Sequence, residues 1–207
     1  MRWILITGVL AANAAFIGLG VAFGYPDVLA EPPARILAAF SADQTAISAW
    51  FLLLALGAGA LVPAAVLLGR RLPDGPAAAL SVHAGVLAGV VQVLGLLRWP
   101  FAVPALADAA DPRAAETVFA ALHGYLGTGV GETLGYLLTA AWTLLVLVAL
   151  PRVPLWFGAL GAFSALAVAA GVLGADLVNF AGYVAWSVWA VCLAVREGGR
   201  NSVEVLT

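Results

Sequence analysis

Six long stretches of the chain are apolar and almost free of charged residues. A helix needs roughly 20 mostly apolar residues to cross a bilayer, and each stretch meets that length. They cover approximately residues 3–24, 46–69, 77–99, 128–150, 154–175 and 177–196. Because backbone N–H and C=O groups must be paired inside hydrocarbon, helices are expected there. The pattern predicts an all-α integral membrane protein, with residues 1–207 forming one bundle of six transmembrane helices.

The composition excludes other classes of protein. Of the 207 residues, 64% are hydrophobic and 10% are charged, and the mean hydropathy is +1.06, which excludes an ordinary soluble protein. The net charge of −2 gives no reason to expect nucleic acid as a partner. The single cysteine, Cys192, excludes an internal disulfide, and we interpret it as a packing residue of the last span.

The arginines are distributed unevenly between the two ends of the predicted helices. With six spans both termini lie on one side of the membrane. The ends and connections on that side carry Arg2, Arg70, Arg71, Arg152, Arg196 and Arg200. The opposite side carries Arg35, Arg98 and Arg113. Because basic residues accumulate on the cytoplasmic side, we expect both termini in the cytoplasm.

Tryptophans and loop residues mark the predicted helix ends. An aromatic belt at the membrane interface would account for Trp3, Trp50, Trp99 and Trp156. The third span is expected to end at Trp99 and Pro100. A short amphipathic stretch follows Pro33 in the connection 25–44.

The fourth span has an unusual N-terminal half. Asp111 and Pro112 have the residue types of an N-cap and a first helical position, so a helix starting there would run to about residue 150. That length exceeds one simple span. Four glycines, Gly124, Gly127, Gly129 and Gly131, precede Glu132. We therefore expect the helix to bend or break before Glu132.

Polar residues of three spans fall at similar depths. Counting about 1.5 Å per residue from the terminus side, Arg98, Glu132 and Asp176 lie near one level at the opposite edge of the hydrocarbon. Gln92, Tyr136 and Asn179 follow about one turn deeper. The third and fourth spans are consecutive, so an ion pair between Arg98 and Glu132 is geometrically available.

The fourth and sixth spans each carry a polar face. In the fourth, Tyr125, Thr128, Glu132, Tyr136, Thr139 and Thr143 recur at helical spacing. In the sixth, Asp176, Asn179, Tyr183 and Ser187 do the same. Gly127, Gly131 and Gly135 form a small-residue stripe that allows close helix packing. Polar residues at this depth face the bundle interior, so we predict an outward-facing polar cavity between spans three, four and six.

Two segments carry a resemblance to a known family. The sequences QVLGLLRWPFAVPALA (92–107) and FAALHGYLGTGVGETLGYLLTAAWTLL (119–145) resemble the bacterial six-helix membrane family catalogued as domain of unknown function 4386. The resemblance is clearest over about 92–150. It implies a multi-pass bacterial membrane protein without an established activity, and it supplies no catalytic residues.

Metal and haem chemistry find no support in the histidines. By the same depth count, His83 lies near the terminus side, whereas His123 lies near or beyond the opposite surface, so the two cannot share a haem. A metal site at His123 with Glu132 or Asp176 would need a broken helix. We therefore expect no metal, no cofactor and no assignable catalytic residue.

The favoured hypothesis is a protein that binds, moves or senses a small molecule or lipid headgroup. The ligand-binding candidates are Arg98, Glu132, Gln92, Tyr136, Asn179, Asp176, Tyr183 and His123. Arg98 would hold an anionic group, and Glu132 would balance Arg98 or exchange protons. Two alternatives stay open: an intramembrane enzyme that uses Glu132 as acid or base, and a structural subunit or homo-oligomer whose glycine stripe faces a partner.

Overall fold

A computed structural model describes the backbone of residues 1–204 and the side chains of residues 1–197. Within that part the chain is helical and contains no strand. Six helices are long and apolar enough to cross a membrane, which confirms the prediction of an all-α multi-pass protein. The side chain of Arg200, one of the arginines used for orientation, lies outside the described residues. Which side faces the cytoplasm stays a prediction.

The helices have the following bounds. They are α1 (Arg2–Phe23), α2 (Pro33–Ala42), α3 (Gln44–Gly59), α4 (Leu61–Gly69), α5 (Pro76–Phe101), α6 (Val103–Ala107), α7 (Pro112–Leu122), α8 (Gly135–Ala149), α9 (Leu155–Ala169) and α10 (Asp176–Glu204). Short 3-10 helices occupy Asp27–Ala30 and Ala170–Leu173, and a π-helical segment, His123–Leu134, joins α7 to α8.

These helices combine into six spans. Spans 1 to 6 cover Arg2–Phe23, Gln44–Gly69, Pro76–Ala107, Pro112–Ala149, Leu155–Leu173 and Asp176–Glu197. Each span packs against the next one in the chain, and span 6 returns to pack against span 1. The bundle is therefore a closed ring, and the interior of the ring is where polar side chains can meet. We call its two ends the terminus end, which carries Met1, and the loop end.

Local sequence signals explain several helix ends. The Asp111 carboxylate accepts hydrogen bonds from the backbone N–H groups of Arg113 (3.1 Å) and Ala114 (3.2 Å), and Pro112 opens the helix. This confirms the N-cap expected there. Span 1 ends at Gly24, whose φ of 68° lies in the left-handed region that favours glycine.

Span 3 differs from the expectation at its loop end. The helix does not stop at Trp99 and Pro100 but continues through Pro100 to Phe101, and α6 extends it to Ala107. Pro100 lies in the last turn, where its missing N–H removes one helical hydrogen bond. The segment that carries Arg98 nevertheless stays helical to its end.

An aromatic cluster closes the loop end of the ring. We call it the aromatic cap, and its rings are Phe23, Phe40, Phe51, Trp99 and Phe119. The Trp99 ring is fully buried and stacks on Phe51 with 4.7 Å between centroids. Trp99 therefore does not belong to an interfacial belt, in contrast to our expectation, because the rings of neighbouring helices enclose it.

The amphipathic helix α2 contributes to the same closure. Its apolar residues Ile36, Leu37 and Phe40 are buried in the cap. Because that face is covered by the bundle, α2 lies over the loop end. A second cluster, around Trp142, Phe157 and Trp189, fills the terminus end. The polar residues lie between these two apolar clusters.

Candidate functional site

The interior of the ring encloses a cavity of about 560 Å³. Spans 1, 2, 3, 4 and 6 line it, together with the connecting segment that contains Tyr25 and Asp27. The predicted ligand-binding candidates all border it: Arg98, Glu132, Gln92, Tyr136, Asn179, Asp176, Tyr183 and His123. The structure brings these residues together, while their ligand-binding role stays a prediction.

Span 4 supplies its polar residues from a widened helix. Over His123–Leu134 the backbone follows π-helical bonding, and the helix continues without a break from Pro112 to Ala149. The helix therefore does not break before Glu132, and widened turns occupy that segment instead. Glycine has no side chain to crowd the wider turns, and π-helical turns are frequent at functional sites.

The widened segment also changes which residues face inward. Tyr125 is 71% exposed and Thr128 is exposed, although both were expected on the polar face. That expectation assumed α-helical spacing through the whole span. Because the π-helical segment has a different periodicity, residues on the N-terminal side of Glu132 lose their phase with Tyr136 and Thr139.

The glycine stripe of span 4 packs against span 3 of the same chain. A Cβ atom added at Gly95 would lie 2.6 Å from the Cα of Gly131, and one added at Gly127 would lie 2.7 Å from Nη2 of Arg98. A Cβ at Gly135 would lie 2.9 Å from Cγ of Gln92. The stripe is thus covered within the chain and is not open to a partner.

Arg98 is the central cation of the cavity. Its side chain is 6% exposed, Nη1 donates to the carbonyl of Gly95, and Nη2 donates to Nδ1 of His123 at 3.2 Å. Nε is buried and has no hydrogen-bond partner among the described residues. The guanidinium carbon lies 5.2 Å from the Trp99 ring centroid, and this cation–π contact stabilises the buried charge of Arg98.

The contact with Arg98 fixes the chemical state of His123. Arginine can only donate, so Nδ1 must be the accepting nitrogen and the imidazole is neutral with its proton on Nε2. The ring also stacks on Phe119 at 5.6 Å. His123 lies half-buried at the cavity, within reach of the long side chain of Arg98, and its depth in the membrane stays a prediction.

Arg98 and Glu132, for which the sequence made an ion pair geometrically available, do not form one. Among the described side chains, the ion pairs within 4.0 Å are Arg35–Glu31 and Arg196–Glu197. Glu132 is half-buried at the same cavity. The Arg98 guanidinium is instead directed to Gly95 and His123. The cavity therefore holds a buried cation and a separate carboxylate.

Deeper polar groups join the spans around the cavity. Nε2 of Gln92 donates to the carbonyl of Ala88 (3.0 Å) and to Oγ1 of Thr139 (3.2 Å). Both amide hydrogens are then used, and Oε1 is the atom of Gln92 left for a ligand. The rings of Tyr136 and Tyr183 meet edge to face at 5.9 Å.

Two candidates from span 6 differ in environment. Nδ2 of Asn179 donates to the carbonyl of Val168 at 2.7 Å, so this side chain ties span 6 to span 5. Asp176 is exposed in the first turn of α10, where a negative charge stabilises the helix. Within the described residues, no three of His, Cys, Asp and Glu gather as metal ligands.

Span 1 and the segment after it contribute polar residues to the cavity that the sequence pattern did not indicate. Asn13 donates from Nδ2 to Oγ of Ser187 at 3.1 Å and borders the cavity. A lone asparagine in an apolar span was the available signal. Tyr25 also borders the cavity, and burial, followed by the negative charge of Glu132, raises its pKa to about 12 while Arg98 acts in the opposite direction.

Apolar side chains complete the cavity wall. Val9 and Phe16 of span 1, Leu54 and Leu61 of span 2 and Phe180 of span 6 line it. The polar atoms come mostly from spans 3, 4 and 6. The cavity therefore has a polar side and an apolar side, which suits a molecule with both kinds of surface.

Comparison with known proteins gives one result. Residues 3–196 match the model of a family described as Domain of unknown function (DUF4386). No curated protein and no solved structure matches the chain significantly.

Proposed function

The chain belongs to the family described as domain of unknown function 4386, and from that premise we propose a function that rests on its own cavity. The protein binds a small amphiphile through an anionic group held at Arg98. The observation that carries the proposal is the buried guanidinium of Arg98, which borders the cavity and keeps N–H groups beyond those donated to Gly95 and His123. No carboxylate lies within 4.0 Å of it among the described residues.

The charge of Arg98 supports an anionic group. Buried charges are stable in proteins when they are paired and hydrogen-bonded. A carboxylate or phosphate oxygen accepts hydrogen bonds from a guanidinium at well-defined geometry. An anionic group in the cavity would accept from the N–H groups of Arg98 that are not donated to Gly95 or His123.

The shape of the cavity supports an amphiphile of modest size. Its volume of about 560 Å³ lies within the roughly 300–1,000 Å³ typical of ligand pockets. The apolar wall formed by residues such as Val9 and Phe16 matches a hydrocarbon portion. A free inorganic ion would leave that wall unused.

Glu132 would select the orientation of the ligand. Its carboxylate borders the same cavity and repels an anionic group placed beside it. The anionic group therefore belongs on the side of Arg98 and His123. Uptake of a proton by Glu132 would strengthen binding, which gives the site a route to proton-linked binding or transport.

The location of the protein follows from the arginine distribution. We place both termini in the cytoplasm of a bacterial cell, with the chain in its cytoplasmic membrane, because the terminus end carries more arginines. The connecting segment around Tyr25 and Asp27 then lies on the outer side.

The test compares matched anionic and neutral amphiphiles. Laurate and dodecanol are added to purified protein in a neutral detergent, and the thermal midpoint is measured for wild type and Arg98→Gln. Laurate should stabilise wild type by about 2.7 kcal/mol at 100 times its Kd, and dodecanol at the same concentration should stabilise it less. The difference should vanish in Arg98→Gln.

Arg113→Gln is the matched control, because Arg113 is an exposed arginine outside the cavity. It should keep the full response to laurate. Equal stabilisation by laurate and dodecanol, or an unchanged laurate response in Arg98→Gln, would overturn the proposal.

A further inference from the structure

A second cavity, of about 540 Å³, lies at the terminus end, away from the site described above. It forms between the start of span 5 and the end of span 6. We call it the arginine groove, and it is lined by Arg152, Pro154, Trp156, Phe157, Val191, Cys192, Val195 and Arg196. It combines two cationic side chains with an apolar wall.

Arg196 holds the groove in shape. Its Nη2 donates to the carbonyls of Pro151 (3.0 Å) and Arg152 (3.1 Å), and its guanidinium carbon lies 5.5 Å from the Phe157 ring centroid. Nε forms an ion pair with Glu197 at 3.5 Å. These contacts fasten the connection between spans 4 and 5 to the end of span 6.

Arg152 is held in an unusual backbone conformation. Its φ is 52°, in the left-handed region that non-glycine residues rarely adopt. Such conformations persist where surrounding contacts impose them and are frequent at ligand sites. Here the contact is the hydrogen bond from Arg196 to the carbonyl of Arg152. The exposed side chain of Arg152 is thereby placed at the same groove as Arg196.

The charges around the groove do not balance. Nη1 of Arg71 donates to the backbone carbonyl of Glu197 at 3.3 Å, so a third arginine approaches the same corner. Among the described side chains at this corner, one carboxylate, that of Glu197, stands against these three cations, and it pairs with Arg196. The described residues therefore give the groove a net positive charge, which is complementary to an anion.

From this juxtaposition we propose that the arginine groove binds the phosphate of an anionic phospholipid. The phosphate would lie at Arg152 and Arg196, and an acyl chain would follow Val191 and Val195. The surface beside the groove is strongly apolar, since Leu155 is 89% exposed and Trp156 is 61% exposed. Exposed tryptophan at the end of a span is typical of the membrane interface, and basic pockets between helices bind anionic headgroups there.

The sole cysteine of the chain makes occupancy measurable. Cys192 lines the groove, so its alkylation by a maleimide reports on whether the groove is filled. Purified protein in neutral detergent is incubated with phosphatidylglycerol, phosphatidylcholine or soluble glycerol 3-phosphate. Phosphatidylglycerol should slow alkylation at least fivefold, and the other two should have little effect at equal concentration.

Substitution of Arg152 tests the assignment without removing the contacts of Arg196. Arg152→Gln should lose most of the protection given by phosphatidylglycerol, because the cationic side chain is removed. The backbone carbonyl of residue 152 can still accept from Arg196, so the contacts of Arg196 remain. Arg113→Gln, at the loop end, is the matched control and should behave as wild type. Native mass spectrometry should show one fewer retained phosphatidylglycerol in Arg152→Gln than in this control.

Three outcomes would overturn the proposal. They are equal protection by phosphatidylglycerol and phosphatidylcholine, full protection in Arg152→Gln, and equal protection by glycerol 3-phosphate. The last result would identify a soluble anion site. None of them involves Arg98, so the outcome is independent of the function proposed for the main cavity.

Discussion

The two sections of span 4 belong to one continuous helix but pack by different means. The π-helical segment His123–Leu134 is glycine-rich, and Gly127 is its buried residue. In α8, Gly135–Ala149, larger side chains such as Trp142 and Val146 are buried. The first section thus approaches span 3 through its backbone, whereas the second packs through side chains.

This difference shows how the cavity is formed. Backbone contact between Gly131 and Gly95 brings spans 3 and 4 together without filling the interior. The side chains of Glu132 and, at the start of α8, Tyr136 then remain available to line the cavity. Further along α8, Trp142 and Val146 belong to the apolar cluster that fills the terminus end. Substitutions in the two sections should therefore have different consequences.

The largest effect is expected for Gly131→Leu. A leucine here would have to fit where even the Cβ of residue 131 lies 3.0 Å from the Cα of Gly95. Backbone atoms cannot move aside as a flexible side chain can, so spans 3 and 4 must separate. We expect failure to accumulate as folded protein, measured by size-exclusion chromatography in mild detergent.

Gly124→Leu is the matched control in the same π-helical segment. A Cβ at Gly124 meets no atom within 4 Å. This variant should elute and melt like wild type. If both leucine variants behave alike, close backbone approach is not what assembles this section.

The next effect is expected in α8 for Trp142→Ala. Trp142 is 1% exposed and packs against Trp189 and Trp186. Removing it leaves a void that we expect to destabilise the fold by about 3 kcal/mol or more, measured by unfolding in a denaturing detergent. Trp3→Ala should change stability little, because Trp3 is 66% exposed. A small effect for Trp142→Ala would contradict side-chain packing in α8.

A smaller effect is expected for Gln92→Leu in span 3. Gln92 packs against Gly135, where the two sections of span 4 meet. The change removes the hydrogen bond to Thr139 and keeps the apolar volume. Hydrogen bonds between membrane helices contribute about 0.6 kcal/mol on average, so the loss of stability should be of that order. A loss of several kcal/mol, measured by the same unfolding assay, would show that Gln92 is an essential structural residue.

At neutral pH, the smallest effect on stability is expected for a change at Tyr25, which lies outside the spans, because its contribution appears only at alkaline pH. Burial and then the charge of Glu132 raise its pKa from 10.0 to about 12. Between these values the unfolded state releases the proton and the folded state keeps it, so stability falls as pH rises from about 10 to about 12.

Tyr25→Phe should reduce this alkaline loss, as measured by thermal midpoints across that pH range. Tyr125→Phe is the matched control, because the Tyr125 ring is 71% exposed. Identical profiles for wild type and Tyr25→Phe would show that Tyr25 is not buried beside the cavity.

Hydrophobic length was sufficient to predict the six helices, because the bilayer imposes both the length and the helical backbone. Asp111 was predictable as an N-cap because capping is a local interaction. Depth counting also identified residues such as Arg98 and Glu132 that border the cavity.

The failures involve interactions that depend on more than one helix. The widened turns of His123–Leu134 changed the phase of Tyr125, which α-helical spacing could not foresee. Trp99 was assigned to an interface, but rings from other helices bury it. The contact of Arg98 with His123 was not foreseen for the same reason, since it depends on the packing of span 4 against span 3.

We propose that Arg98 and Glu132 line the cavity as separate charges and not as an ion pair, and a double-mutant cycle tests this separation. Unfolding free energies are measured without added ligand for wild type, Arg98→Gln, Glu132→Gln and the double variant. We predict that Glu132→Gln is neutral or stabilising, as expected for a carboxylate kept at a cost to stability. Single changes that each cost about 3–5 kcal/mol, with the double no worse than the worse single, would show a structural ion pair instead.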